Sequence, residues 1–412
     1  MNLELLTIGN ELLLGFTADT NGAEIARVLS AVGVRVVRRT SVGDSADDIR
    51  DAVSEALART GAVLTTGGLG PTRDDVSKHA VAGLFDAPLE FDPEVWAGLV
   101  ERFVRMGRTP PASNRSQAEV PRGATVLRNR WGTAPGLWLE GAPGLVIMLP
   151  GVPGEMRMLL EHEVLPRLAG RADGLVVRSR LVRTTAIAES ALAERMGDVE
   201  RELAPLTLAY LPGPDGVDLR LTAWQLPPGE ADQRLGAAAA LLRRRAGEHV
   251  YGEGDTDLAA VVLEAARARR LTIATAESCT GGLVGGRLTA IPGSSDVYLG
   301  GVVSYANELK LALLGIEPSQ LDAHGAVSEP VALAMARGAA VRLGSGAAVS
   351  VTGIAGPGGG SEAKPVGTIW VAAVAGDRLE ARHAVLSGNR QEIRARAAQA
   401  ALYLLRRVLR HD

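Results

Sequence analysis

At the start of the chain, short apolar runs alternate with stretches whose apolar side chains recur at helical spacing. The first pattern is that of a strand buried on both faces, the second that of a helix with one buried stripe. Residues 3–8, 34–37 and 62–65 are therefore predicted strands, and residues 21–29 and 46–57 predicted helices. Such alternation argues for a parallel sheet with helices on its faces and ligands beyond the carboxyl ends of the strands. The apolar run 145–149 is a further buried strand candidate.

From residue 172 the order changes to strand 175–182, helix 189–203, strand 206–211, strand 217–225 and helix 231–245, a small βαββα unit. Residues 252–255 read as a linker, with Asp255 or Thr256 capping the next helix. Beyond it come strand 271–274, helix 280–288, strand 301–305, a helix carrying Lys310, an Ala-rich helix ending near Leu343, strands 347–352, 370–375 and 382–386, and a last helix to Leu409. The expectation is a multidomain α/β protein divided at 1–170, 171–252 and 253–412.

Composition narrows the function. A chain of 412 residues exceeds what one core serves. Aromatics are only 3%, so stacking platforms for single-stranded nucleic acid are poorly supplied. A net charge of -3 argues against a large phosphate-backbone footprint, and nucleic acid is disfavoured as a partner. With no basic segment ahead of an apolar run and no stretch of ~20 apolar residues, a membrane is not expected and a cytoplasmic protein is. Cys279 is the one cysteine, which permits neither an intrachain disulfide nor a cysteine-rich zinc site.

The densest candidate chemistry lies between Thr275 and Lys310. Ser278 falls at a predicted strand-to-helix turn, where the N–H groups of Cys279, Thr280 and Gly281 form a cradle for an anion or oxyanion. Ser278 and Lys310 together point to acyl transfer, provided burial or a neighbouring cation leaves the lysine neutral. A serine in a glycine-rich helix start also suits phosphate binding or capping. His324, His383 and His411 leave a histidine base open, and Cys279 is an alternative nucleophile or packing filler. Downstream, the loop 353–360 offers Gly353, Gly356 and Gly358 to a phosphate monoester, and Arg390 can pair with phosphate at the start of the last helix. Arg394, Arg396, Arg406, Arg407 and Arg410 read as a solvated face, as do Arg243, Arg244 and Arg245.

In the amino-terminal part the loop after strand 62–65 carries Gly67, Gly68 and Gly70, then Asp74 and Asp75. Three glycines let backbone approach a phosphate, and paired carboxylates hold a divalent metal ion between phosphates. The pair equally suits the charge preference of a helix start. Asn10, Glu11 and Asp19 belong to the same sheet edge, with Glu155 near it; Trp131 serves to stack on adenine or to plug the core. Lys78 and His79 read as a solvated helix face.

Five motifs in the last third, TAESCTGG, GVVSYANELK, HGAVSEP, SVTGIAGPGGG and KPVGTIW, resemble those of the bacterial nicotinamide-nucleotide amidohydrolase family. Its two-part members form the competence/damage-inducible CinA family. The resemblance implies a Ser/Lys amidohydrolase converting nicotinamide mononucleotide to nicotinic acid mononucleotide and ammonia. Ser278 becomes the nucleophile, Lys310 its base, Tyr305 and Thr352 members of the surrounding hydrogen-bond network, and Arg390 a ligand contact. TIGNELLLG, DTN, TGGLGPTRDD and LPGVPGEM look like the family's amino-terminal domain, related in fold to molybdopterin-binding proteins. That implies metal-dependent hydrolysis of ADP-ribose, with Asp74 and Asp75 for metal and acid–base work. Family members carry a KH-like middle module, read here as a spacer and oligomer contact because no GXXG loop stands out. A homodimer is expected, and no cofactor for the deamidase domain. The rivals are a non-catalytic nucleotide-binding adaptor and a molybdopterin binder.

Overall fold

The computed structural model describes residues 1–171 and 174–410. Two compact units emerge, one of residues 1–178 with 223–234, the other of residues 179–222 with 235 onward.

In the first unit, β1 (Asn2–Ile8), β2 (Arg35–Val42) and β3 (Ala62–Thr66) alternate with the helices Thr20–Ala31 and Ala46–Thr60. A two-stranded piece follows, β4 (Leu89–Phe91) with β5 (Glu119–Pro121); then come β6 (Thr125–Leu127), β7 (Gly136–Gly141) and β8 (Gly144–Leu149). The main sheet has the order β2-β1-β3-β8-β7-β6. Four strands are parallel, as expected, while β7 and β6 add an antiparallel edge. The period-two rule of a strand divides the sheet between two cores. Leu3, Leu5, Leu64, Ile147 and Leu149 face Ile25 and Leu29; Leu6, Ile8, Val63, Val146 and Met148 face Ile49 and Val53. A helix that the sequence reading passed over, Pro93–Arg105, starts on an Asp92 cap.

The middle strands β9 (Val176–Thr184), β10 (Thr207–Gly213), β11 (Gly216–Leu226) and β12 (Val250–Glu253), most of whose residues belong to the second unit, form one sheet in the order β10-β11-β9-β12. The expected helix 189–203 is broken at Gly197 into Glu189–Met196 and Val199–Leu203. Residues 252–253, expected in a linker, belong to β12, and the next helix is capped by Asp257. The arginines at the end of helix Pro228–Ala246 are in part engaged: Arg243 pairs with Glu253 and Arg245 with Glu202.

The last part of that unit carries β13 (Ile273–Glu277), β14 (Tyr298–Val303), β15 (Ala347–Gly353), β16 (Thr368–Ala375) and β17 (Arg378–Val385). Their order is β14-β13-β15-β16-β17, the first three parallel and the last two antiparallel. The helix Arg390–Arg410 covers one face and Glu329–Leu343 the other. Arg406 lies on the buried side, 3% exposed, and donates to the carbonyls of Glu248 and Val250; Arg407 pairs with Glu380. The solvated face expected of this helix is therefore wrong for Arg406, whose carbonyl partners come from a distant segment. Among the described residues no helix is long and apolar enough to cross a membrane.

Small residues let elements approach closely here. A Cβ on Gly338 would stand 2.1 Å from the carbonyl oxygen of Leu314, where helix Asn307–Leu314 ends against helix Glu329–Leu343. We expect Gly338→Ala to lower stability by about 1–3 kcal/mol, read as a reduced urea midpoint with an unchanged m-value; a midpoint equal to that of the parent would show that the helices separate freely.

Candidate functional site

Three adjacent parallel strands, β14, β13 and β15, end on one side of their sheet, and each delivers part of one site. Ser278 follows β13, its N–H still in the ladder through the Val351 carbonyl at 2.9 Å. Ser304 and Tyr305 follow β14. Lys310, on the next helix, turns back so that Nζ lies 3.2 Å from Ser278 Oγ, 2.8 Å from the Ser304 carbonyl and 3.3 Å from the Tyr305 carbonyl. The lysine is 1% exposed and the serine 8%. Burial pushes the Lys310 amine below its ordinary value of 10.5. Among the described residues no histidine is hydrogen-bonded to Ser278; His383 packs on Trp370, and His411 lies outside the described residues. Burial raises the Cys279 thiol to about 11, so it is a poor thiolate source.

The cradle differs from the expected one. The helix begins at Leu283, and its start is already filled: Glu277, 2% exposed, accepts from the N–H groups of Gly282, Val284 and Gly285 at 3.0, 3.1 and 2.8 Å. Gly281 donates to the Ser278 carbonyl at 3.1 Å. Among the described residues, no oxygen accepts from the N–H groups of Cys279 and Thr280, which are the donors left beside Ser278. Gly281 and Gly282 turn the chain with φ of 60° and 97°, a region that suits glycine. The hydroxyls of Thr280 and Ser304, both fully buried, have no partner among the described residues.

Tyr305 is exposed, and its hydroxyl is 2.9 Å from Arg390 Nη2. Arg390 Nη1 also donates to the Gly356 carbonyl at 2.5 Å, which ties the glycine loop to the start of the last helix. Thr352, fully buried, donates to the Ala326 carbonyl and makes no hydrogen bond to Ser278 or Lys310. Gly353 closes β15, Gly356 is buried with φ of 78°, and Gly358 is exposed with open space around it. Arg394, expected to be solvated, instead holds the carbonyls of Cys279 and Thr280 at 3.1 and 2.7 Å. Glu277 and Arg394 are the residues the sequence reading missed. The signal for Glu277 was a carboxylate five residues ahead of a glycine-opened helix; Arg394 had none beyond its place one turn after Arg390.

The carboxyl-terminal segment matches the model of the CinA C-terminal domain over residues 255–409. Residues 4–170 match the "Probable molybdopterin binding domain", and residues 179–252 the "Damage-inducible protein CinA KH domain". A CinA-like protein of Gemmatimonas aurantiaca is 56% identical over 416 residues, covering 100% of this chain and 97% of that one. The chain belongs to the CinA family. A second CinA-like protein, from Salinibacter ruber, is 45% identical over 99% of this chain and 100% of its own. The crystal structure of the competence/damage inducible protein CihA from Agrobacterium tumefaciens, 42% identical, covers 37% of this chain and 93% of that one at a TM-score of 0.36.

In the molybdopterin-binding-like domain of this CinA chain, β1 and β3 end beside a cavity of about 130 Å³ lined by Glu11, Asp19, Asn21 and Thr66, among others. Asn21 Nδ2 donates to the Gly151 carbonyl at 2.8 Å, and its buried Oδ1 has no partner among the described residues. Asp19 caps helix Thr20–Ala31 and pairs with Arg39; Asn10 is not among the lining residues, and its N–H goes to Asp44. Gly67 and Gly68 turn with φ of 113° and 67°. At Gly68 a Cβ would strike Ser77 Oγ at 2.0 Å, and at Gly70 the Asp75 carboxylate at 2.4 Å. Asp75 takes the Thr72 N–H at 2.9 Å and its hydroxyl; Asp74 is exposed. Among the described residues no three His, Cys, Asp or Glu side chains converge as a metal cluster. Lys78 is not on a solvated face: it is 3% exposed, donates to the carbonyls of Ser116 and Glu119, and is brought down to about 8 by burial, whereas His79 is exposed. Glu155 lies against Gly132 and accepts from Asn129 at 2.6 Å, and burial raises its carboxyl. Trp131 stacks on His162, centroids 5.0 Å apart.

Glu277→Ala takes one acceptor away from three backbone donors at once. We expect a loss of about 2–4 kcal/mol, measured by urea unfolding. An unchanged midpoint would mean that solvent replaces the carboxylate at no cost.

Proposed function

We propose that the chain is a Ser/Lys amidohydrolase that converts nicotinamide mononucleotide to nicotinic acid mononucleotide, with a metal-dependent ADP-ribose pyrophosphatase in its amino-terminal domain. The observation that carries the first activity is the buried Lys310 amine 3.2 Å from Ser278 Oγ. A neutral amine has two N–H groups and one lone pair. With the N–H groups on the Ser304 and Tyr305 carbonyls, the lone pair faces Ser278, the arrangement of a general base. Ser278 Oγ attacks the carboxamide carbon as Lys310 takes its proton. The N–H groups of Cys279 and Thr280 stabilise the oxyanion. Lys310 returns the proton to the leaving nitrogen, ammonia departs, and water activated by the same amine hydrolyses the acyl-serine. Arg390 and the 353–360 loop supply the phosphate contacts.

For the second activity, Gly67, Gly68 and Gly70 cradle the pyrophosphate beyond β3. Asp74 and the free oxygen of Asp75, both hard oxygen donors, would hold a divalent cation, which when bound would neutralise developing phosphate charge. The site then orients the diphosphate by its backbone.

Ser278→Ala and Lys310→Met should each cut ammonia release by about 10³-fold or more, measured with nicotinamide mononucleotide. In the parent, kcat/KM should rise with pH through the lowered Lys310 value and level off before 10.5, because only the deprotonated amine accepts a proton. A flat profile, or turnover in the alanine variant, would remove the dyad. EDTA should stop AMP formation from ADP-ribose and leave ammonia release intact; AMP production that persists in chelator rejects the metal.

A further inference from the structure

The first two turns of the last helix hold three separate loops of the amidohydrolase site. Arg390 grips the Gly356 carbonyl and the Tyr305 hydroxyl. Arg394, four residues on and hence on the same helix face, grips the nucleophile turn itself, Nε to the Cys279 carbonyl at 3.1 Å and Nη2 to the Thr280 carbonyl at 2.7 Å. The guanidinium sits so close that a Cβ on Gly281 would stand 3.3 Å from Nη2.

The identity of the gripped carbonyls matters. The Cys279 carbonyl and the Thr280 N–H belong to one peptide unit, and in a trans planar peptide the two point in opposite directions. Fixing the carbonyl on Arg394 therefore fixes the N–H away from Arg394. That N–H is one of the two beside Ser278 that no oxygen accepts among the described residues. A full positive charge on the carbonyl end also polarises the unit, making its N–H a stronger donor. The helix dipole does not supply this polarisation, because the N–H groups at the helix start are directed to the Glu277 carboxylate.

We infer that Arg394 is a positioning residue for the oxyanion site, setting the direction and the strength of the Thr280 N–H through the carbonyl of the same peptide unit. The inference rests on Ser278 being the nucleophile of the proposed reaction but not on the identity of the substrate. It assigns Arg394 no contact with substrate. Lysine in its place retains the charge but lacks the fork that spans two carbonyls; methionine loses both.

The test uses the full chain and two independent readouts, labelling of Ser278 by a fluorophosphonate, located by mass spectrometry, and ammonia release from nicotinamide mononucleotide. Labelling forms an O–P bond at Ser278 as fluoride leaves and Lys310 takes the hydroxyl proton, and its transition state gathers negative charge on the phosphoryl oxygen, where the oxyanion would lie. We expect Arg394→Met to slow labelling and kcat by about 10- to 100-fold while KM changes less than about threefold, and Arg394→Lys to recover part of the loss. The pH midpoint assigned to Lys310 should stay put, because the base is untouched. Labelling of the methionine variant at the parent rate overturns the inference, as does a loss that appears in KM alone or that tracks a fall in melting temperature. Should methionine fail to fold, lysine carries the same comparison: full parental rates with lysine overturn the role of the fork. Parent protein that labels at Ser278 yet releases no ammonia refutes the substrate and leaves the Arg394 result standing; parent protein that does not label refutes both.

Discussion

The site depends on one costly act, the removal of a lysine amine from water. Burial disfavours the charged form and lowers the Lys310 value from 10.5. Two main-chain carbonyls, from Ser304 and Tyr305, fix the amine without the countercharge a carboxylate would bring. A carboxylate is within the same turn, yet it is spent elsewhere: both Glu277 oxygens are held by backbone N–H groups. Lys310 is therefore held by neutral oxygens rather than by a carboxylate. The surroundings of Ser278 follow from these two assignments.

The Glu277 carboxylate also explains why the turn after β13 differs from an ordinary phosphate-binding helix start. Backbone donors at the first turn of a helix attract anions, and here the anion is part of the chain. The turn is held by the Glu277 carboxylate on its N–H groups and by the Arg394 guanidinium on its carbonyls.

Much of the architecture was legible as periodicity. Short apolar runs located β1, β3, β8 and β15 because a strand buried on two faces has little room for polar residues. The antiparallel β7 was missed, since Gly136–Gly141 follows a loop rich in Gly and Pro that hid its start. At the site, the residues alone set Ser278 beside Lys310 but left the serine between capping and attack, and the motifs that resemble a family implied the roles of nucleophile and base. Neither could expose the carbonyl contacts of Arg394 or the burial of Arg406 and Lys78. A charged residue on a polar-looking helix reads as solvated unless its carbonyl partners are known, and those partners sit 38 to 158 residues away in sequence. The free N–H groups near Ser278 differ from those expected for a similar reason: a helix start looks open until the carboxylate that fills it is seen.

Ser278 hangs from β13 and the segment leading to Lys310 from β14, neighbours in one parallel sheet. Strand neighbours lie about 4.8 Å apart in any sheet, which brings the two segments side by side, and the helix Asn307–Leu314 carries Lys310 back to Ser278. The glycine-rich segment hangs from β15 on the other flank. The Ser278–Lys310 pair and the glycine-rich segment are in this way mounted on different strands.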